Sequence, residues 1–239
     1  MTRLLVLVEG PTEENFVNRL LSPHLGRHGV WASARLMGRA RPRARRGGIV
    51  GWPQARREIA HHLKEDRERC VTTMVDYYGL PQEGTTAWPS RAQAATARVV
   101  SERPVVVETA MHRDVSRDMG SGFLASRFVP FVMFHEFEAL LFSDCSAFAA
   151  AIGRPALATD FQKIRDQLSS PEEINDSKNT APSKRVSALV RGYSKPRMGQ
   201  LAANAIGLDA MLLQCACFED WLGQLERLPG GGASRQGNP

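Results

Sequence analysis

Leu4-Leu5-Val6-Leu7-Val8-Glu9-Gly10-Pro11-Thr12-Glu13 reads as a short apolar run, an acid, a tight turn and a helix start. Five consecutive aliphatic residues bounded by turn residues form a strand buried on both faces. Gly10 and Pro11 turn the chain, Thr12 is a candidate N-cap, and Glu13 and Glu14 fall in the first helical turn. The helix extends to about Leu25, with Phe16, Val17, Leu20 and Leu21 inward. An acid directly after a buried strand is seldom there for packing. Glu9 and Glu13 straddle the turn, four residues apart, so their carboxylates can hold one cation or bridge two. The alternative for Glu13 is a helix-dipole acid with no ligand.

Outward from that stretch, strands and helices alternate. Val30 to Met37 reads as a second strand. Trp52 to Glu68 is helical, with Ile59 and Leu63 inward at i, i+4. Cys70 to Asp76 is a β-branched run that ends in an aspartate and breaks at Tyr77-Tyr78-Gly79-Leu80-Pro81. Arg91 to Glu102 has a helical pattern. Residues 103–122 fit either strand, at Val105 to Val107, or helix. Arg127 to Phe134 reads as strand and runs into His135-Glu136-Phe137-Glu138. Helical segments follow at Cys145 to Ile152, Phe161 to Leu168, Lys184 to Val190, Gly199 to Ile206 and Cys217 to Leu228. The expected architecture is α/β: a mainly parallel sheet flanked by helices over residues 1–144, a helical C-terminal extension over 145–228, and a disordered tail at 229–239.

Three expected strands end in acids: Glu9, Asp76 and Glu136. In a parallel sheet, sites lie beyond the carboxyl ends of the strands. Carboxylates gathered there raise one another's pKa unless a cation joins them, and a hard divalent ion with oxygen ligands meets that need. Glu136 is preferred to Glu138, because on a regular helix the two point about 200° apart. Glu138 is either a buried partner for an Arg or a ligand on an irregular turn. His135 is a ligand, a water-orienting group or a structural histidine.

The chain has 239 residues, a net charge of +6 and a pI of about 9.5. No apolar run is long enough for a membrane span, and the N-terminus lacks a signal-peptide pattern. Four scattered cysteines have no zinc-knuckle spacing and read as plain cytoplasmic thiols. The basic excess is partly clustered: Arg39, Arg41, Arg43, Arg45 and Arg46 lie around Pro42 and before Gly47-Gly48. Such a segment can track a nucleic-acid backbone, or be a solvated loop without a partner.

Val8-Glu9-Gly10-Pro11-Thr12-Glu13 resembles the strand-Glu-Gly-x-Thr-Glu opening of the Toprim fold. The whole chain is similar to the bacterial domain-of-unknown-function family 4276, a Toprim-related group akin to overcoming-lysogenization-defect nucleases. The matching stretches are Thr72 to Pro81, His135 to Asp144, Pro171 to Asp176 and Thr180 to Arg185. The resemblance implies a Mg²⁺ or Mn²⁺ site formed by Glu9, Glu13, Asp76, Glu136 and Glu138. It also implies a setting in phage defence beside an ATPase partner. One departure matters. Topoisomerases and primases carry Asp-x-Asp after the third strand, whereas this chain has Asp76-Tyr77-Tyr78. That argues against strand passage and priming and leaves hydrolysis, which needs less machinery.

Thr180-Ala181-Pro182-Ser183 reads as a helix start capped by Ser183, whose free amides suit a phosphate. Lys184 then supplies a charge to the scissile phosphate and Arg185 grips a neighbour, or both are plain surface cations. Tyr77 and Tyr78 either stack on a base or pack beside the site. The combined expectation is a metal-dependent endonuclease acting on DNA ahead of RNA, with Glu9, Glu13, Asp76, Glu136 and Lys184 in the reaction. Arg41, Arg43, Arg45, Arg46 and Arg185 would bind nucleic acid. The competing expectation, supported by the missing aspartate, is a catalytically silent regulatory or adaptor subunit. A phosphotransferase is disfavoured because no glycine-rich phosphate loop follows the first strand.

Overall fold

The computed structural model describes residues 1–38, 48–134, 136–174 and 181–229. The apolar run becomes β1 (Thr2–Val8). A helical stretch follows in three pieces: α1 (Pro11–Phe16), a π-turn (Val17–Leu21) and α2 (Ser22–Arg27). Pro23 has no N–H to donate, and the helix widens just before it. Next come β2 (Val30–Leu36), α3 (Trp52–Glu65) and β3 (Arg69–Asp76). The short α4 (Arg91–Ala94) precedes the long α5 (Glu102–Met119). The expected helix over Arg91 to Glu102 is therefore cut short, and 103–122 resolves mainly as helix.

The expected strand over Arg127 to Phe134 is split into β4 (Phe128–Val129) and β5 (Val132–Met133). Pro130 lies between them and breaks the ladder. Thr73 on β3 repairs the gap. Its hydroxyl donates to the Phe131 carbonyl (2.9 Å) and accepts from the Phe131 N–H (3.0 Å). A 3-10 turn, Phe137–Ser143, leads into α6 (Cys145–Ala151), α7 (Ala158–Arg165), α8 (Pro182–Leu189), α9 (Gln200–Gln214) and α10 (Ala216–Glu226).

The sheet has five strands in the order β2-β1-β3-β4, with β5 also on β3, and every pairing is parallel. Strand residues alternate between two cores. Leu4, Val6, Val8, Cys70 and Met74 pack with Phe16, Val17 and the C-terminal helices, including Phe218 and Trp221. Leu5, Leu7, Val71 and Val75 pack with Ile59 and Leu63 of α3 and Val107, Met111 and Val115 of α5. The C-terminal helices thus cover one face of the sheet and share its core. The indole N–H of Trp221 donates to the Thr72 hydroxyl on β3 (2.9 Å), which fastens α10 to the central sheet.

The chain leaves β1 towards β2 on one side and leaves β3 towards β4 on the other. The order therefore reverses between β1 and β3. Beyond the carboxyl ends of two such strands lies a crevice with no crossover bridging it. Glu9 follows β1 and Asp76 ends β3, so both acids stand at that crevice. Among the described residues, no single helix is long and apolar enough to cross a membrane.

Candidate metal centre

β1 and β3 set the first two carboxylates. Val8 pairs with Met74, so Glu9 and Asp76 emerge almost side by side. The Asp76 N–H points at Glu9 Oε2 (3.4 Å). Gly79 lies against the Glu9 carboxylate; a Cβ there would be 3.6 Å from Glu9 Oε2, an ordinary contact. Glu13 folds back from α1 over the turn. A Cβ on Gly10 would meet Glu13 Oε2 at 2.8 Å, so glycine is required for this approach. Gly10, not Thr12, caps the helix.

The remaining acids come from beyond β5. Glu136 is still extended, and Glu138 is the second residue of the 3-10 turn. On that irregular path both carboxylates reach one ammonium, Lys195 Nζ, at 3.4 Å from Glu136 Oε2 and 2.9 Å from Glu138 Oε2. The regular-helix geometry that separates Glu136 from Glu138 therefore does not apply. The buried partner of Glu138 is a lysine rather than an arginine. Lys195 opens a second π-turn, Lys195–Gly199. That turn closes on α1 and the 3-10 turn, since a Cβ on Gly199 would lie 3.5 Å from Phe137 and 3.7 Å from Thr12.

The electrostatics follow from burial. Burial raises the pKa of Glu9, although the backbone amide of Asp76 and the charge of Lys195 oppose it. Burial, helped by Glu138 and Glu9, pushes Glu13 up to about 7. Asp76 lies well above the usual carboxylate range through burial and the charges of Glu9 and Glu13. Burial also raises Glu138, against the pull of Lys195. For Lys195 itself burial acts downward, but Glu138 and Glu136 outweigh it and the ammonium is held more firmly. Glu138 is 0% exposed, and its Oε1 has no hydrogen-bond partner; nor does the buried Asp76 Oδ1. Buried carboxylate oxygens without donors are costly. Five carboxylates face one ammonium here, which leaves a deficit of positive charge. Oxygen-only ligands with orphaned atoms are the chemistry that a hard divalent cation of the Mg²⁺ or Mn²⁺ kind takes, although among the described residues no three of these acids bring ligand oxygens within 4.8 Å of one another, so binding needs side-chain rotation.

Other expected residues take places different from those the sequence suggests. Ala181, not Ser183, caps α8. The Ser183 N–H donates to Glu136 Oε2 (2.9 Å), so an amide expected to meet phosphate holds a carboxylate instead. Lys184 is exposed on the same turn, and Arg185 is half-buried and engaged in contacts. Tyr77 is buried and packs under Arg91, whose guanidinium lies 3.7 Å from the ring centre and donates to the Tyr77 hydroxyl (3.0 Å). It is core, not a stacking platform. Tyr78 takes the place of the second aspartate and is 40% exposed. Glu172, within a motif that carried the family resemblance, caps α10 through the Cys217 and Phe218 amides, both at 3.0 Å. Arg39, Arg41, Arg43, Arg45, Arg46, His135 and the segment 230–239 lie outside the described residues.

Lys195 was not anticipated. Its neighbourhood, Tyr193-Ser194-Lys195-Pro196-Arg197, is polar and proline-broken and carries no local mark of a site. No curated protein and no solved structure matches the chain. A family described as "Domain of unknown function (DUF4276)" matches residues 8–226, which include β2 to β5, every acid of the centre and Lys195. By that match the chain belongs to the DUF4276 family.

Proposed function

We propose that this protein is a Toprim-related, divalent-metal-dependent nuclease that hydrolyses phosphodiester bonds of DNA. It would act in the cytoplasm, in phage defence, beside an ATPase partner. The observation that carries the reading is the meeting of Glu9 and Asp76 beyond the carboxyl ends of β1 and β3, where the strand order reverses. Acids from separate elements meet there with oxygens that lack donors. The partner, the setting and the choice of DNA rest on the family resemblance and the basic charge.

Glu9, Glu13 and Asp76 are the residues that would hold the ion, with Glu136 and Glu138 at the far side. The bound ion would polarise the phosphate, activate water and stabilise the leaving oxygen. Glu9 and Asp76 keep fixed positions through the strand ladder, which serves orientation. Lys195 holds Glu136 and Glu138 in place and offsets part of the charge that would repel a phosphate. Lys184, exposed beside Glu136, is the cation of α8 available to a neighbouring phosphate.

The test is cleavage of supercoiled plasmid with Mg²⁺ or Mn²⁺ by the native chain, Glu9→Gln and Asp76→Asn. Nicking or linearisation that needs metal and disappears in both variants supports the reading. Cleavage that survives both variants refutes the assignment of the site. A second reading, a silent adaptor, draws on Lys195 inside the acid cluster and Tyr78 at the second aspartate's place. Calorimetry separates the two, because an adaptor balanced by Lys195 alone binds no Mg²⁺.

A further inference from the structure

At the opposite, amino-terminal edge of the sheet, three side chains from distant parts of the chain converge. His24 and His28 stand one helical turn apart, on and just after the last turn of α2. Glu226 is the last residue of α10. His24 Nε2 lies 2.6 Å from Glu226 Oε1, and His28 Nε2 lies 3.9 Å from the same oxygen. The imidazole centres are 5.1 Å apart. One ligand atom from each residue lies within 4.8 Å of the others. We propose that His24, His28 and Glu226 form a binding site for a transition-metal dication of the zinc class, tying α2 to α10.

The donor set is the first argument. Two imidazole nitrogens and one carboxylate oxygen suit zinc and its neighbours, whereas Mg²⁺ prefers oxygen alone. Spacing is the second. Residues i and i+4 share a helix face, so both rings reach the same side. A tetrahedral centre with bonds of about 2.0–2.1 Å needs ligand separations of about 3.3 Å. The two observed distances bracket that value, and small side-chain rotations supply the difference. The third is position: the carbonyl end of a helix favours a cation. The site is half-open, with side-chain exposures of 14%, 41% and 27% for His24, His28 and Glu226, so water can fill the remaining coordination.

Arg27 gives the site a built-in competitor. Its Nη2 lies 3.1 Å from His24 Nδ1. A guanidinium only donates, so Nδ1 accepts and the imidazole proton sits on Nε2, shared with Glu226. Metal binding moves that proton to Nδ1 and displaces Arg27, an exposed side chain. The grouping His61, His62 and Glu65 is a poorer candidate, because Glu65 is already paired with Arg69 at 2.9 Å and Arg35 faces His62.

The test uses the full chain stripped by a chelator, then titrated with Zn²⁺ in excess Mg²⁺ so that the carboxylate centre is occupied. Co²⁺ absorption reads the coordination. Expected are one Zn²⁺ per chain, a four-coordinate Co²⁺ spectrum, and an affinity about 100-fold or more weaker in His28→Ala. His28 is exposed enough for that variant to fold. Arg27→Ala should bind more tightly than the native chain, and Asp76→Asn should bind equally. The proposal fails if His28→Ala and Glu226→Gln bind Zn²⁺ like the native chain. It also fails if Asp76→Asn alone loses the ion, which would assign it to the carboxylate centre.

Discussion

The two halves of the carboxylate centre are built by different means. Glu9 and Asp76 extend from adjacent strands, and their separation is fixed by a parallel ladder from Arg3–Arg69 to Val8–Met74. Glu138 and Lys195 come from a 3-10 turn and a π-turn, and one ion pair joins them at 2.9 Å. The strand half sets where ligands stand, while the turn half sets how much of their charge is balanced. Removing a residue from the first half should cost function more than stability, and from the second half stability as well.

Asp76→Asn breaks the comparison most sharply. It removes a buried, donor-less carboxylate oxygen, so thermal stability should hold or rise. Metal-dependent plasmid cleavage should fall by about three orders of magnitude, equivalent to ~4 kcal/mol of transition-state stabilisation. A variant that unfolds instead would make Asp76 a structural residue and erase the distinction between the halves.

The pH dependence is the next largest effect. Glu13 has a folded pKa of about 7 against an ordinary 4.5. The folded state then binds more protons than the unfolded one between those values, so stability falls as pH rises from 4.5 to 7. The shift corresponds to at most about 3 kcal/mol. In chelator, thermal melts should decline across this window, and Mg²⁺ should restore most of the loss at the alkaline end. Glu108, raised to about 7 by burial away from the centre, contributes a portion that Mg²⁺ does not restore. Glu108→Gln should remove that portion. A flat profile in chelator would mean that the acids are already balanced without an ion.

Lys195→Met tests the turn half. It leaves Glu138 buried without its cation, which should cost about 2 kcal/mol in denaturant melts at pH 8, since the exposed lysine is partly screened. Adding Glu138→Gln should recover most of the loss. If the double variant is as weak as the single one, the ion pair is incidental. The smallest effects concern the proposed nucleic-acid contacts. Lys184→Ala should lower cleavage by about tenfold, the equivalent of one exposed phosphate contact. Arg43, Arg45 and Arg46 replaced together by alanine should flatten the salt dependence of DNA binding, measured by fluorescence anisotropy.

The strand half was legible because its cause is local. A five-residue aliphatic run and the turn behind it fix where Glu9 points, and the β-branched run before Asp76 does the same. The break at Pro130 was not read, because the Thr73 hydroxyl that mends it lies on another strand. The helix over Glu102–Met119 was obscured by Pro104 and the β-branched Val105 to Val107, whose propensities its packing overrides. Glu136 follows β5 in extended backbone, close to where the strand reading over Arg127 to Phe134 puts it. Its separation from Glu138 holds only on a regular helix, and the 3-10 turn, which does not share that angular period, realises the irregular-turn alternative. Lys195 was invisible for a stronger reason: only tertiary packing against Phe137 and Thr12 brings it to the acids.

Lys195 also has a consequence for synthesis. Glu9, Glu13 and Asp76 leave the ribosome before Lys195, which is made 119 residues after Asp76. The helices that cover this face of the sheet, α9 and α10, come later still. A nascent or truncated chain therefore presents the acids without their counter-charge and without half of their core. The strand acids and the turn that balances them are therefore completed together, only once the chain has been made through Lys195 and the helices that follow it.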